Sequence, residues 1–201
     1  RRTYIPKKNG KMRPLGIPSF NDKLVQECVR LLLEAIYEGG FAKTSHGFRP
    51  NHSCHTALNQ VQVCFTGVKW FVEGDIKGFF DNVDHSKLIR QLWAMGIHDK
   101  QLIYLIKQIL KAPIKMPDGT LVKPEKGTPQ GGILSPLLAN IVLNELDRWV
   151  ESQWQYNKVT DNYSQRPQKN GTVDRCHGYR AMRESTKLKE MWIVRYADDF
   201  R

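Results

Sequence analysis

The sequence predicts an α+β fold, in which short antiparallel strands are backed by amphipathic helices. β-prone stretches flank turn signals such as Asn9-Gly10 and Pro117-Asp118-Gly119, which is typical of hairpins. Five longer segments repeat apolar residues every three or four positions, which indicates helices. With 40% hydrophobic and 25% charged residues, most of the 201 residues should fold as one large domain or two small subdomains.

The N-terminal part should form a hairpin followed by a helix. Thr3–Ile5 and Leu15–Ile17 are the expected strands, and basic residues surround the bend between them. Asn21 or Asp22 is expected to cap a helix that runs to about Glu38. Its predicted core-facing residues are Leu24, Val25, Cys28, Leu31, Leu32 and Ile36.

The middle of the chain alternates helices with short strands. Ser53 should cap a second helix, and Trp70–Ile76 is predicted to be a buried strand that ends at an acidic residue. Two further helices and a hairpin are expected at His85–Met95, Asp99–Lys111 and Ile114–Lys123.

The C-terminal part should contain a long helix, a loop and a strand. Ser135-Pro136 opens a helix to about Trp154, with proline in the first turn, where its missing N–H costs little. A long polar loop or insertion is expected after it, over residues 157–175. Met191–Tyr196 should be a strand that runs into Asp198-Asp199, and two adjacent carboxylates at a strand end are typical of a hairpin bend.

Charge and cysteine content restrict the class of protein. The net charge of +11 suits a polyanionic partner such as nucleic acid. The four cysteines show no paired spacing and are interpreted as reduced thiols of an intracellular protein. The cluster His52, Cys54 and His55 is interpreted as packing at a helix start rather than as a zinc site. No run reaches about 18 apolar residues, so no membrane-spanning helix is expected.

Aspartates stand at the ends of two apolar strands. Asp75 follows Trp70–Val72, and Asp198-Asp199 follow Trp192–Val194. Taken singly, each is better explained as an ordinary solvated strand-end acid, whereas the motifs taken together favour a shared role. Brought together, they would repel one another unless cations neutralised them, and clustered carboxylate oxygens are ligands that Mg²⁺ prefers. Two such ions can stabilise both the attacking and the leaving oxygen of a phosphoryl transfer.

Five motifs, in order along the chain, give a resemblance to reverse transcriptases. Tyr196–Asp199 resembles their YxDD box, and Asp75–Asp81 resembles their first catalytic motif. Gly127–Asn140 is similar to the segment between those two, in the form typical of group II intron proteins. Ile5–Pro18 and Gly47–Pro50 fit the same lineage. Four residues such as YADD recur by chance, but five ordered motifs do not.

The resemblance implies the fingers and palm of a reverse transcriptase, with an antiparallel palm sheet backed by helices. Residues 1–68 would be mainly fingers, 69–98 palm, 99–126 a connection with a hairpin, and 127–201 palm with an insertion near 157–189. The thumb and the maturase domain of the family are not matched by any segment. Processive synthesis by these residues alone is therefore expected to be weak or absent.

The resemblance also assigns roles to individual residues. Two Mg²⁺ ions, with Mn²⁺ as a substitute, would be held by Asp75, Asp198, Asp199 and the backbone carbonyl of Ile76. The incoming dNTP would contact Lys7, Arg13, Gln130, Gly131 and an aromatic gate, either Phe79, which is preferred, or Phe80. Template or primer contacts are assigned to Arg49, Lys69, Arg195 and Tyr196.

The function implied is that of an RNA-directed DNA polymerase that also binds group II intron RNA to assist splicing and mobility. Its partners would be the intron RNA, an RNA template, a DNA primer and dNTPs, with self-association as a homodimer and no membrane. The location would be the bacterial cytoplasm or an organelle. Two alternatives stay open: a maturase with a relic polymerase site, and a retron, diversity-generating or CRISPR-associated reverse transcriptase.

Overall fold

The computed structural model of the chain describes residues 1–6, 10–128, 131–159, 166–171, 173–174 and 176–201. These ranges contain seven α-helices and nine short strands. The strands form one three-stranded sheet and three hairpins, all antiparallel. The α+β prediction is confirmed. None of the helices described combines the length and apolar character that crossing a bilayer would need.

The N-terminal hairpin agrees with the sequence prediction. Strands β1 (Arg2–Pro6) and β2 (Met12–Gly16) pair antiparallel, so that Ile5 lies opposite Arg13. Gly10, next to the bend, has φ +78°, a conformation that glycine adopts without steric cost.

Helix α1 (Phe20–Tyr37) begins two or three residues earlier than expected and buries a different face. Ser19, not Asn21 or Asp22, is its cap: the Ser19 hydroxyl accepts the Asp22 N–H at 3.2 Å, and Asp22 accepts the Ser19 N–H in return. A 3-10 turn, Glu38–Gly40, follows. The residues buried against the core are Gln26, Val29, Leu33 and Tyr37. The predicted face is exposed: Leu24, Val25, Cys28, Leu31, Leu32 and Ile36.

The difference in α1 has a simple physical reason. The helix carries apolar residues on more than one side, and periodicity alone does not say which side meets a neighbour. Polar anchors fix the rotation instead. The Tyr37 hydroxyl donates to the Leu92 carbonyl at 3.3 Å, and the Gln26 side chain accepts the Ile133 N–H at 3.0 Å.

The other helices are α2 (Cys54–Cys64), α3 (Phe79–Asn82), α4 (His85–Ala94), α5 (Lys100–Leu110), α6 (Ser135–Gln153) and α7 (Cys176–Ser185). Four of them, α2, α4, α5 and α6, follow the predicted positions closely, whereas α3 and α7 were not predicted. Ser53 caps α2 as predicted, and Asp84 and Asp99 cap α4 and α5. α7 lies within the stretch 157–189 that was predicted to be an insertion.

One hydrophobic core joins all four predicted segments of the chain. It includes Leu33 of α1, Leu92 of α4, Ile106 of α5 and Ile141 of α6, each wholly buried. The domain boundaries at residues 68, 98 and 126 stay a prediction, since the core crosses all of them.

The central sheet has the order β3-β9-β8, from β3 (Gly74–Asp75), β9 (Asp199–Phe200) and β8 (Arg195–Tyr196). The remaining strands are β4 (Ile114–Lys115) with β5 (Leu121–Val122), and β6 (Arg166–Pro167) with β7 (Val173–Asp174).

The prediction of a buried strand from Trp70 onward was wrong. Trp70 is 89% exposed and Val72 is 70% exposed. Gly74 lies opposite Phe200, and the Arg201 guanidinium pairs with the Glu73 carboxylate at 2.7 Å. Within the described ranges no strand lies opposite residues 70–72, so their hydrophobic side chains have no sheet neighbour to pack against.

Candidate active site

The central sheet brings the three predicted aspartates to one place. Asp75 on β3 is the register partner of Asp199 on β9. Directly opposed residues of antiparallel strands share a face, with Cα atoms about 4.5–5.5 Å apart. Asp198 lies in the two-residue turn that joins β8 to β9. Aspartates separated by more than a hundred residues in sequence thus lie at the same end of the sheet.

A glycine makes the approach of β3 to β9 achievable. A Cβ atom added at Gly74 would lie 2.2 Å from the Phe200 ring. The Phe200 side chain therefore occupies the space that a side chain at position 74 would need. Any other residue before Asp75 would displace either the ring or the strand.

The donor set fits a hard divalent cation. Asp75 and Asp199 are exposed and Asp198 is half-buried. The Ile76 carbonyl accepts the Phe79 N–H at 3.1 Å, which leaves it one further lone pair. Among the described residues no group of three His, Cys, Asp or Glu side chains could enclose a metal by itself. Mg²⁺ usually completes its octahedron with water and substrate phosphates, so an incomplete protein set suits it.

The structure buries the two phenylalanines of the predicted gate to different extents. Phe79, the preferred residue, is 8% exposed and belongs to the hydrophobic core, so the expectation that Phe80 would be the buried one of the pair was wrong, and the choice of gate residue stays a prediction. Phe80 is half-buried, and its ring meets the edge of Phe48, with 6.5 Å between centroids. Adjacent residues on a helix point about 100° apart, so the two rings are buried to different depths, and Phe80 packs against the core from its margin.

Two of the predicted nucleotide contacts, Arg13 and Gly131, lie at the N-terminal hairpin. Arg13 is exposed on β2, whereas Lys7 and Gln130 fall outside the described residues. Gly131 has φ +95°, and a Cβ there would lie 2.4 Å from the Gly16 carbonyl oxygen. The close backbone approach that this glycine allows is therefore made with β2.

Two of the predicted template contacts were wrong, because their side chains are buried in the protein. The Arg49 side chain is 6% exposed, and its guanidinium donates to the Glu38 carboxylate and to the Ala42 and Ser45 carbonyls, each at 2.8 Å. Arg195 is wholly buried, where its guanidinium is 2.7 Å from Asp147. Neither side chain can reach a nucleic acid.

The other two template residues are accessible, and their roles stay predictions. Lys69 is exposed, and Tyr196 is 36% exposed beside the aspartate turn. A hydrogen bond with the Cys54 thiol is the main cause that raises the pKa of Tyr196.

Helix α6 carries a buried polar stripe that the sequence analysis missed. Its members lie three or four residues apart on one face and are all less than 9% exposed: Asn140, Asn144, Asp147 and Glu151. Asn140 donates to the Gly47 carbonyl at 2.8 Å, and Asn144 accepts the Ala42 N–H at 3.1 Å. Burial raises the pKa of Glu151. Polar residues at helical spacing within an otherwise apolar helix are the signal that could have revealed this stripe.

Comparison with known proteins agrees with this geometry. Residues 5–201 match the family described as reverse transcriptase (RNA-dependent DNA polymerase). The chain belongs to the reverse transcriptase family. Its residues are 58% identical over 75% of the chain to the group II intron-encoded protein LtrA of Lactococcus lactis subsp. cremoris. They are 33% identical over 77% of the chain to the mitochondrial nuclear intron maturase 2 of Arabidopsis thaliana. Within the reverse transcriptases, the chain therefore belongs with those of group II introns.

Structural comparison gives the same fold. The whole of this reverse transcriptase chain superposes on 35% of the telomerase chain from Candida tropicalis, with a TM-score of 0.56 and 13% identity. The chain spans about a quarter of the length of the two curated relatives, 25% of each.

Proposed function

We propose that the aspartate end of the β3-β9-β8 sheet is the nucleotidyl-transfer centre of a group II intron reverse transcriptase, which extends a DNA primer with dNTPs on an RNA template. The observation that carries the proposal is the pairing of Asp75 with Asp199, beside the turn that holds Asp198. Membership of the reverse transcriptase family supports it.

In this proposal the protein positions reactants and neutralises charge. Asp75, Asp198 and the carbonyl of Ile76 would hold two Mg²⁺ ions, with Asp199 the less direct ligand. When bound, these ions supply charge stabilisation to the attacking and leaving oxygens. The primer 3′-oxygen bonds to the α-phosphorus while the bond from that phosphorus to pyrophosphate breaks. Arg13, with Lys7, would hold the triphosphate, since Arg offers a bidentate fork to phosphate oxygens.

Phe80 is the residue we assign to sugar selection. Its half-buried ring is held against Phe48 and Phe79, with centroid distances of 6.5 Å and 5.6 Å. A ring fixed in this way could pack against the nucleotide sugar and exclude a 2′-hydroxyl. Phe79, buried beneath it, would support the gate without touching the substrate.

Intron RNA is the proposed second partner. The net charge of +11 favours a polyanion, and similarity to an intron maturase of Arabidopsis thaliana supports a role in splicing. Such a protein would act where its intron is transcribed, in the bacterial cytoplasm or in an organelle. A homodimer is also proposed, and sedimentation of the full-length protein would test it.

The two alternatives are less well supported. A relic polymerase site would be free to lose its carboxylates, yet Asp75, Asp198 and Asp199 are all present. A retron or CRISPR-associated enzyme is disfavoured by the 58% identity to a group II intron-encoded protein.

Primer extension by the full-length protein tests the proposal. Asp75→Asn should lower extension on an RNA template in Mg²⁺ by about 10²-fold or more, because the metal and its transition-state stabilisation are lost. Binding of the same RNA should stay within about twofold, since the substitution leaves every basic side chain in place. Asp118→Asn, in the exposed β4–β5 turn, is the matched control and should extend normally. Tight intron-RNA binding by a wild-type protein that extends no primer would instead support the relic maturase.

A further inference from the structure

Arg195 is completely enclosed, and every one of its side-chain N–H groups has an acceptor. Nε and one terminal nitrogen bind the Asp147 carboxylate, at 2.9 Å and 2.7 Å. That second nitrogen also donates to the Ser45 hydroxyl at 2.7 Å. The other terminal nitrogen donates to Asn140 Oδ1 at 3.0 Å and to the Ala197 carbonyl at 2.6 Å. Arg195 and Asp147 are both 0% exposed.

The last of these bonds reaches the aspartate turn itself. Ala197 directly precedes Asp198, and it has φ +59°, which is uncommon for a residue other than glycine. The turn is therefore held in a conformation that its sequence does not favour, and the Arg195 bond to its carbonyl is one restraint that keeps it there.

A second restraint comes from the segment around Gly47. A Cβ at Gly47 would lie 2.2 Å from the Ala197 nitrogen, so this backbone is seated directly on the turn. Asn140 holds it there by donating to the Gly47 carbonyl while accepting from Arg195. The backbone of Arg195 also pairs with this segment, since the His46 N–H donates to its carbonyl at 2.8 Å.

Stability alone does not explain such a network. Desolvating two charges costs about as much as their attraction returns, and well-packed apolar residues often replace buried ion pairs without loss. A fully satisfied polar network does, however, fix one geometry in a way that apolar packing does not. The place where geometry matters here is the turn that carries Asp198.

We infer that Arg195, Asp147 and Asn140 form a clamp that sets the position of the Asp198 carboxylate for metal binding, with Gly47 as the surface against which the turn is pressed. Arg195 and Asn140 are positioning residues: they touch neither metal nor substrate and act through the Ala197 carbonyl and the Gly47 backbone. The inference rests on the proposed polymerase function. It also gives a physical reason for the motifs Gly47–Pro50, Gly127–Asn140 and Tyr196–Asp199 to occur in one chain, since each contributes a residue or a backbone segment to this contact.

Two asparagines on one helix provide a matched test in the full-length protein. Asn140→Ala removes a member of the clamp, whereas Asn144→Ala removes another buried asparagine one turn away, whose side chain accepts the Ala42 N–H. Residues that orient metal ligands typically alter metal affinity by 10–100-fold. Asn140→Ala should therefore raise the Mg²⁺ concentration for half-maximal extension about tenfold or more. It should change the KM for dNTP and the affinity for primer-template less than about twofold, while Asn144→Ala leaves all three near wild type.

A direct readout avoids dependence on turnover. Electron paramagnetic resonance of Mn²⁺ titrated into the protein with bound primer-template should show weaker binding in Asn140→Ala and unchanged binding in Asn144→Ala. Ser45→Ala, which removes one Arg195 acceptor, should shift Mn²⁺ affinity in the same direction by a smaller factor, and it serves if Asn140→Ala does not fold. Equal Mn²⁺ affinities in the Asn140 and Asn144 variants, or in Ser45→Ala and wild type, would overturn the clamp. A wild-type protein that neither binds Mn²⁺ nor extends primers would overturn the polymerase proposal instead.

Discussion

The two ends of the central sheet are built in contrasting ways. At the aspartate end, the turn rests on a buried network in which Arg195 uses every donor. At the other end, Trp70 and Val72 are exposed at the edge of a cavity of about 940 Å³, which Trp149 and Met191 also line. Each strand of the sheet is only two residues long within the described ranges.

This contrast shows where the rigidity of the site originates. A two-residue strand contributes few ladder hydrogen bonds, and isolated short hairpins are marginal in water. The sheet itself therefore does little to fix the aspartates. Precise placement comes from side chains beneath the turn, whereas the open end contributes exposed apolar surface. Substitutions at the two ends should have very different consequences.

The largest expected effect on stability is at the clamp. Asp147→Ala leaves the Arg195 charge buried and unpaired, and it should lower the free energy of unfolding by about 3–5 kcal/mol. Urea denaturation followed by circular dichroism measures this change. Glu145→Ala, on the exposed side of the same helix, is the control and should change it by about 0.5 kcal/mol at most. A small effect at Asp147 would mean that the network does not hold the turn in solution.

The backbone of the turn should be the next most sensitive point. Ala197→Val places a β-branched side chain at φ +59° and should cost about 1–2 kcal/mol, because such residues strongly disfavour this conformation. Ala197→Gly should be nearly neutral, since glycine relieves the strain but gains entropy in the unfolded chain. Thermal denaturation of both variants checks the prediction. Equal stabilities would show that the turn relaxes to another conformation.

Lowering the pH should reduce the free energy of unfolding through protonation of His46, which lies beside Arg195. Burial is the main cause that lowers the pKa of this histidine, His52 and Arg49 lower it further, and a hydrogen bond to Gln60 partly opposes them. Because the unfolded chain binds the proton more readily, stability is complete above the unfolded pKa of about 6.5 and is lost as the pH falls toward the folded value. Urea midpoints at pH 8 and pH 5 should therefore differ more for wild type than for His46→Gln. The exposed His55→Gln should retain the wild-type difference.

The smallest effect is expected at Trp70, an exposed residue of the open end. Trp70→Ser should change the free energy of unfolding by no more than about 0.5 kcal/mol, because the side chain is 89% exposed. Ile193 lines the same cavity but is only 6% exposed. Ile193→Ala should therefore lower the free energy of unfolding by about 2–5 kcal/mol. Chemical denaturation of the two variants compares them. A large loss at Trp70 would show that this residue packs against something in solution.

Local sequence signals predicted much of the fold. The Ser53 cap, the Asn-Gly hairpin and the proline at the start of α6 act within a few residues, so they can be interpreted without tertiary knowledge. The rotation of α1 could not be predicted from local sequence, because it depends on distant partners such as Leu92 and Ile133. The prediction of a strand at Trp70 failed for the same reason. A strand needs a neighbouring strand to pair with, and the sequence does not show which neighbour is present.

Prediction of the site residues from sequence meets a related limit. The motifs contain Arg49 and the Phe79–Phe80 pair, and Arg195 directly precedes the last of them. Hydrophobicity alone could not separate the core phenylalanine from the half-exposed one. A basic residue within a nucleic-acid-binding motif suggests a phosphate contact, yet both arginines bind carboxylates and carbonyls of the protein. The sequence marks such positions as necessary, and only the surrounding structure shows whether they bind a ligand or support one.

The Arg195 network also bears on how the molecule folds. Its members lie up to 150 positions apart, from Ser45 to Arg195 itself. Contacts of such sequence separation form slowly, because long stretches of chain must be ordered before they give any gain. The aspartate turn should therefore reach its working shape only when the N-terminal and C-terminal parts have both docked. A chain still being synthesised would hold its acidic residues without a functional arrangement, and catalytic competence should arise late and all at once.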